Sequence, residues 1–551
     1  MKVIIDGLEE MHLAEPVSLL TIANEFKDKY NFPIMAVIVD KDLRELTYKI
    51  DRDASLKFLD MSTDVGMKIY LRTLTFLFVK ACKDIFPGCI VDVQHSLGDG
   101  LYCEIHRGEP LSENDVELIE ARMKQLVQKD LPIVKTKMPL DEAILMFKKR
   151  GMEDKVRILK HRDKRTVNIY ELDGMKDYFF GYMLPSTGFL KWFKLHFYLP
   201  GIILQFPKTI NPTHIAQYRE QPKLSNIFRE AEQWARILNV HDVGSLNDNI
   251  KTGHAFEIIR VAEALHEKKI AEIADIIYEH KERTKIILIA GPSSSGKTTF
   301  AQRLIVQLKV NGLFPISIST DDYFFDRDKT PLCENGKPDF ESLEAIDLKL
   351  FNRHLTSLIQ QKEVILPKYN FHTGKREFSR IPTRLRRDQL LIIEGIHALN
   401  ERLTASIPKE NKFKIYISAL TQLNIDNNNR ISTTDTRLLR RIVRDSWARS
   451  SDAKKTISMW KDVQNGAEKN IFPYQEQADV MFNSALVYEL SVLKKYAEPL
   501  LKSVTPDDTE YIYAKYLLKF LQYFVPIDDE REIPLTSIIR EFIGGSCFNN
   551  N

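Results

Sequence analysis

Residues 291–298 read Gly-Pro-Ser-Ser-Ser-Gly-Lys-Thr, which matches the pattern G-x-x-x-x-G-K-[ST] at every fixed position. The apolar run before it, residues 285–290, is of the kind that forms a buried parallel strand. After it, Phe300, Leu304, Ile305 and Leu308 recur at helical spacing over residues 299–310, and Gly312 is placed to end the helix. The glycines let successive backbone N–H groups wrap an anion, and the helix N-terminus adds a favourable dipole. Lys297 can reach β- and γ-phosphates, and the Thr298 hydroxyl can ligate Mg²⁺. Gly291, Pro292, Ser293, Ser294, Ser295, Gly296, Lys297, Thr298 and Thr299 are therefore the expected ATP-binding residues. Strand, glycine loop and helix in this order predict an α/β fold: a parallel sheet with helices on both faces.

With 551 residues the chain is too long for one core. Its 79 basic residues nearly balance 76 acidic ones, which argues against a general nucleic-acid binder but leaves room for a local basic groove. Cys82, Cys89, Cys103, Cys333 and Cys547 are scattered and odd in number, as expected of inert thiols in a reducing cytoplasm. The first residues lack the charged-then-apolar pattern of a signal peptide. No apolar run reaches the roughly 20 residues of a membrane span. The most apolar stretch, residues 192–206, is broken by Lys194, His196 and Pro200.

Residues 1–60 predict a small α+β unit with strands at 3–5, 35–39 and 45–50 and a helix at 17–29. Further on, the spacing predicts a helix over 70–86, a strand over 101–105 and an amphipathic helix opened by Ser112 with Asp115 three residues later. Asp99-Gly100-Leu101-Tyr102, Lys129-Asp130-Leu131-Pro132, Pro185-Ser186-Thr187-Gly188 and the Lys191-Trp192-Phe193-Lys194-Leu195 run resemble the N-terminal editing region of threonyl-tRNA synthetase. That resemblance implies a TGS-like β-grasp domain at 1–60 and an editing-like α+β domain at 61–205. The family's His-x-x-x-His and Cys-x-x-x-His pairs fall on Thr73 and Leu77, and on Phe179 and Met183, none of which is a good zinc ligand. The expectation is a retained fold without its metal, with regulation, RNA contact or intramolecular docking left open. His95 is expected in a turn, structural or exposed. Residues 206–283 predict a helical connector, with helices at 224–238 and 256–279 and turns at Gly244 and Gly253.

In the catalytic half, the strand at 315–320 runs into Asp321-Asp322-Tyr323, and the strand at 390–395 carries Glu394 at its carboxyl end. Ligands of open α/β sheets sit there, so Asp321 is placed to accept a proton and Glu394 to support Mg²⁺. A further strand is predicted at 413–417. A helix over 435–447 puts Arg437, Arg440, Arg441 and Arg444 on one broad face. Beside a triphosphate site this face is expected to act as a lid, with a solvated basic face or an RNA contact as the alternative.

These motifs, with Pro367-Lys368-Tyr369-Asn370-Phe371, Glu394-Gly395-Ile396 and Asp435-Thr436-Arg437-Leu438, resemble the uridine kinase family, related to phosphoribulokinase, over residues 284–490. The resemblance implies Asp321 as general base for a nucleoside 5′-hydroxyl, assisted by Lys297, Arg441 and Arg444. It implies Thr298 and Glu394 on Mg²⁺ and Arg449 on the nucleotide. Glu341 would hold the ribose hydroxyls, with Phe340, Tyr369, Phe371 and Arg441 around the acceptor. Two positions depart from the family. Its base-reading histidine falls at Gly374, with His372 nearby, and its Arg-Gly-Arg appears as Arg449-Ser450-Ser451. Uridine or cytidine preference is thereby put in doubt. Residues 491–551 predict a C-terminal helical extension, with a helix at 511–524, docked on the kinase core. The expected activity is an ATP- and Mg²⁺-dependent nucleoside kinase, and the rival is an ATP-binding, tRNA-associated regulatory protein. Expected partners are ATP and a nucleoside-like molecule. RNA contact by the N-terminal half and a homo-oligomer stay open.

Overall fold

A computed structural model describes residues 1–7, 9–332, 336, 338–370, 373–387, 389–421 and 423–548. The expectations placed on Cys333, Phe371 and His372 lie outside them. Five strands form the sheet that carries the phosphate loop: β1 (Ile286–Ala290), β2 (Ile316–Ser319), β3 (Leu391–Glu394), β4 (Lys412–Ser418) and β5 (Val480–Asn483). Their spatial order is β2-β3-β1-β4-β5, and every pairing is parallel. All of β1 is buried, and its alternate residues serve opposite faces. Ile287 and Ile289 join a core with Phe300 and Leu304 of helix α1 (Lys297–Val310) and with Ile270, Ile273 and Ile277 of the long helix Ala255–Glu279. Ile286 and Leu288 face Leu350, Phe351 and Leu355 of the helix Leu348–Ile359. The parallel α/β expectation is met.

Helix α2 (Thr433–Ala448) and helix α3 (Tyr511–Leu521) pack on the same side as α1, and Ile538, Ile539 and Phe542 join that core. The C-terminal extension is thus docked on the core beside the phosphate-loop sheet, although its helix ends at Leu521 rather than at residue 524.

In the first sixty residues the strand order is Glu9–His12, Lys2–Ile5, Ala54–Asp60, Ile34–Val39, Asp42–Arg44. The expected strand at 45–50 is corrected to Lys49–Ile50, which pairs with Val17–Ser18. The expected helix at 17–29 starts at Leu19, because Val17 and Ser18 belong to that pair and the Ser18 hydroxyl caps the helix by accepting from Thr21 N–H.

The next unit packs the helices Asp64–Ile85 and Glu113–Gln128 against an antiparallel sheet of Lys194–Tyr198, Gly201–Gln205, Gly100–His106 and Ile90–Leu97. Ser112 and Asp115 close a full capping box. Leu77, Phe179 and Met183 are core residues, and Thr73 is buried with its hydroxyl accepting from Leu184 N–H at 3.1 Å. His95 is corrected from a turn to a strand, where it stacks on Phe228 with ring centroids 3.5 Å apart. Gly244 lies inside the helix Val243–Lys251 rather than in a turn. A Cβ there would come 2.7 Å from Arg157 Cβ, so close helix contact excludes a side chain.

Docking within the chain, one of the three roles left open, is provided by the loop after β4. Asn424 and Asn428 donate to the carbonyls of Val93 and Val91, each at 3.0 Å, while Asn429 donates to Tyr178 O. Asp426 meets Lys155, which also pairs with Asp177, and all three are buried. Cys82, Cys89 and Cys103 are buried free thiols, and Cys547 is exposed. Among the described residues no helix is long and apolar enough to cross a membrane.

Candidate active site

The loop between β1 and α1 turns through Ser294 and Gly296 at positive φ, +60° and +83°. A Cβ on Gly291 would strike the carbonyl of Ile417 on β4, so the first fixed glycine is set by strand proximity. The hydroxyls of Ser294 and Ser295 are buried without a partner among the described residues. Unpaired buried hydroxyls are costly, and a polyanion in the loop supplies the missing acceptors. Lys297 Nζ donates to Gly291 O at 2.9 Å and Pro292 O at 3.3 Å. Burial pulls its pKa down, and Glu394 and Asp321 oppose that fall.

Beyond the strand ends lies a cavity of about 300 Å³. Lys297, Thr298, Asp321, Phe340, Glu341 and Tyr369 line it, as do Glu394, Arg441, Arg444 and Arg449. Ser293, Ser294, Ser295 and Gly296 form its phosphate-loop side. Gly291, Pro292 and Thr299 are not among the residues that line the cavity, and all three are buried. Thr298 Oγ1 is 3.3 Å and 3.4 Å from the two oxygens of Glu394. A hydroxyl and a carboxylate this close beside a phosphate loop suit Mg²⁺, which takes few protein ligands and shares substrate phosphates. The residues present therefore fit both ATP and Mg²⁺.

The two neighbouring aspartates divide their work. Asp322 accepts from Tyr369 N–H at 3.1 Å and braces the strand Pro367–Asn370. Asp321 lines the cavity, where burial raises its pKa against the pull of Lys297, Arg449 and Arg444. The rings of Phe340 and Tyr369 both lie edge-on to Phe324, with centroids 5.9 Å and 5.8 Å away. Phe324 lines the cavity too and was missed in the sequence. Gly374, the expected histidine position, has φ +70°, and a Cβ there would sit 2.8 Å from Arg327 Nε. Arg327 is a second lining residue that the sequence did not reveal.

Of the arginine face expected to act as a lid, two members turn away from the cavity. Arg437 and Arg440 turn into the protein: Arg437 Nε donates to Ser293 O at 2.9 Å, and Arg440 pairs with buried Glu489 while donating to Ser294 O and Ser484 O. Helix α2 is a fixed wall behind the loop, with ten buried residues. Arg441, Arg444 and Arg449 do reach the cavity. Arg441 donates to Ser293 Oγ at 3.0 Å, and all three lean on the single carboxylate of Asp445. Repulsion from Arg444 and burial bring Arg449 down to about 10. Three crowded cations sharing one anion suit added negative charge.

Glu341 and Glu394 are both pushed up to about 7, mainly by burial, with Arg441 and Lys297 respectively as the chief opposing charges. Folding therefore holds their protons between about 4.5 and 7, where the unfolded chain releases them. The stability they contribute is fully present below the unfolded value and is lost as pH rises through 7, up to about 3 kcal/mol for each. Thermal melting of the ligand-free protein is expected to decline between pH 5 and 7.5, and less steeply in Glu394→Gln. Equal slopes in the two proteins contradict this.

Glu541 had no local signal at all. The C-terminal segment lies across the loop, where a Cβ on Gly296 would meet Ile538 at 2.6 Å. Glu541 Oε2 accepts from Thr299 N–H at 3.1 Å and from its hydroxyl at 2.8 Å. These are donors of the helix N-terminus that attracts phosphate. Glu541→Gln is expected to tighten ATP binding about five- to tenfold by removing a like charge. Calorimetric titration measures this, and weaker binding in the variant would show instead that the carboxylate supports the nucleotide.

A parallel sheet with a phosphate loop after its central strand, an aspartate beyond β2 and a glutamate closing β3 defines a P-loop kinase domain. Residues 286–491 match the family model described as Phosphoribulokinase / Uridine kinase family. The N-terminal region is similar to threonine–tRNA ligases. The ligase of Coxiella burnetii is 29% identical over 183 residues, 33% of this chain and 28% of the ligase. That of Symbiobacterium thermophilum is 33% identical over 162 residues, 29% of this chain and 25% of the ligase. The chain thus spans about a quarter of the length of these relatives. Among solved structures, D-glycerate 3-kinase from Cryptococcus neoformans aligns over 46% of this chain and 87% of its own at 14% identity and a TM-score of 0.22. The "Structure of a Possible Uridine Kinase from Bacillus stearothermophilus" aligns over 39% and 100% at 17% identity and a TM-score of 0.26.

Proposed function

We propose that the protein transfers the γ-phosphoryl group of ATP to the 5′-hydroxyl of a nucleoside or similar ribosyl alcohol. One observation carries this reading: Asp321, Lys297 and Glu341 line the same cavity as the phosphate loop and three aromatic rings, those of Phe324, Phe340 and Tyr369. ATP with Mg²⁺ supplies an electrophilic phosphoryl group and neutralises part of its charge. Asp321 accepts the hydroxyl proton as that oxygen bonds to the γ-phosphorus and the bond to the ADP oxygen breaks. Thr298 and Glu394 would hold Mg²⁺. Lys297, Arg441 and Arg444 stabilise charge on the transferred group, with Arg449 on the nucleotide side. Glu341 is placed to accept from ribose hydroxyls, and Phe340 and Tyr369 offer faces to a planar base.

Asp321 is suited to the base role because its raised pKa makes the carboxylate a better proton acceptor than an ordinary aspartate. The test is ADP release with ATP, Mg²⁺ and a panel of nucleosides, ribose and glycerate. Turnover with a ribosyl alcohol is expected, whereas turnover with glycerate alone transfers the reading to a hydroxy-acid kinase.

A second reading, an ATP-binding tRNA-associated regulatory protein, draws its support from the likeness of the N-terminal region to threonine–tRNA ligases. It predicts tRNA retention on filters with a steep salt dependence, and no ADP release with any alcohol.

A further inference from the structure

A second cavity, of about 370 Å³, lies away from the phosphate loop. It is enclosed by the turn around Lys41–Arg44, the helix Asp64–Ile85, the segment 162–182 and α3, so three distant parts of the chain build it. Eight cationic side chains line it against two carboxylates, Asp42 and Asp163. Some of these cations are neutralised: Lys68 pairs with Asp435, and Lys515 and Arg44 share Asp42.

Four others have no ion pair among the described residues: Arg72, Arg162, Lys164 and Lys519. Arg72 is held by donating to Tyr182 O at 2.6 Å, with the backbone of Gly181 packed on its guanidinium. Arg162 donates to the phenol oxygens of Tyr178 at 2.7 Å and Tyr523 at 3.3 Å. Burial lowers the pKa of Arg72, as it does for Lys519, where Lys515 and Lys164 add repulsion. Arg72 and Arg162 line this concave site without an ion pair among the described residues, whereas a buried cation is normally paired. A bound anion would supply such a partner.

Much of the rest of the wall is aromatic. Phe180 lies 5.5 Å from Tyr516 and 5.3 Å from Tyr523, measured between ring centroids. Tyr513 and Tyr516 are in turn fixed by donating to the two oxygens of Asp435, at 2.7 Å and 2.9 Å. The site is therefore preformed rather than assembled by its ligand. Its volume exceeds what inorganic phosphate fills and suits a phosphate joined to a ring system.

We propose that this cavity binds a free mononucleotide, its phosphate on Arg72, Arg162 and Lys519 and its base against Phe180 and Tyr516. Nothing in the proposed phosphoryl transfer uses these residues, so the inference stands apart from the kinase reading.

Equilibrium titration of the full-length protein with radiolabelled AMP and UMP, with adenosine, uridine and inorganic phosphate as comparisons, tests it. Beyond any binding at the phosphate-loop cavity, one further saturable site is expected, at least tenfold tighter for a monophosphate than for its nucleoside. Lys519→Glu, at an exposed position of α3, is expected to weaken monophosphate binding tenfold or more. Lys297→Met, in the phosphate loop, is expected to leave it unchanged. Arg162→Leu, with circular dichroism to verify its fold, should match Lys519→Glu. The proposal is overturned by absent saturable monophosphate binding, by undiminished binding in Lys519→Glu, or by binding that disappears in Lys297→Met. It is equally overturned if a short oligoribonucleotide binds here while mononucleotides do not. A protein that releases no ADP in the kinase assay leaves these outcomes fully readable.

Discussion

Asp321→Asn is expected to lower the rate of ADP release about 10²–10⁴-fold, with little change in ATP affinity. The amide fills the same volume and keeps the 3₁₀ turn Thr320–Tyr323, which is capped through the Ser319 hydroxyl. What it loses is the ability to take a proton. Because Asp321 and Lys297 interact across the cavity, the neutral amide also leaves Lys297 with less opposing charge, a minor effect beside loss of the base. The distinguishing measurement is the split between kcat and KM. A fall in kcat with KM nearly constant marks a group acting on the transferred proton. Asp322→Asn provides the contrast, since that carboxylate braces Tyr369 N–H. Its effect should appear in acceptor KM. If Asp321→Asn turns over at the wild-type rate, Asp321 is not the base.

Arg440→Leu is expected to destabilise the kinase domain by about 3–5 kcal/mol. Arg440 is fully buried, paired with Glu489, and donates to the carbonyl of Ser484 at 2.8 Å. Truncation strands a buried carboxylate that burial already pushes toward its neutral form. It also leaves Ser294 O and Ser484 O without this donor. Urea unfolding followed by the fluorescence of Trp447 and Trp460 reads the loss. The double change Arg440→Leu with Glu489→Leu should recover a good part of it, because a matched apolar pair strands no charge. A loss under about 1 kcal/mol would mean that water reaches the pair and that helix α2 is less fixed than it looks here.

How much of this was readable beforehand differs by element. The β1–loop–α1 unit follows from local pattern alone: an apolar run, two glycines, a lysine and a helical period are contiguous, so no distant contact can rearrange them cheaply. Asp321 and Glu394 were legible for a related reason, because a parallel sheet exposes the carboxyl ends of its strands on one side. The strand Ala54–Asp60 alternates buried and exposed residues over its first five positions, a period-2 signal within a single element. The arginines of α2 show where local reading stops. Their spacing reports a shared face, but only Glu489 and the loop carbonyls decide that Arg437 and Arg440 turn inward. Phe324 and Arg327 entered the site because the strand pair Pro367–Asn370 and Lys375–Phe378 folds back over them.

The amino-acid order by itself determined the nucleotide loop, the parallel sheet around it, the positions of the acidic side chains at strand ends and the resemblance of the two halves to different families. These depend on residues near one another in the chain or on periodicity within one element. Tertiary structure alone decided that helix α2 is a wall, that Glu541 reaches Thr299 across 242 residues, and that the Asp426 loop anchors one half to the other. The physical reason is common to all three. A charge is attracted by whatever opposite charge or polar group the fold brings within a few ångströms, and no period in the sequence records that partner.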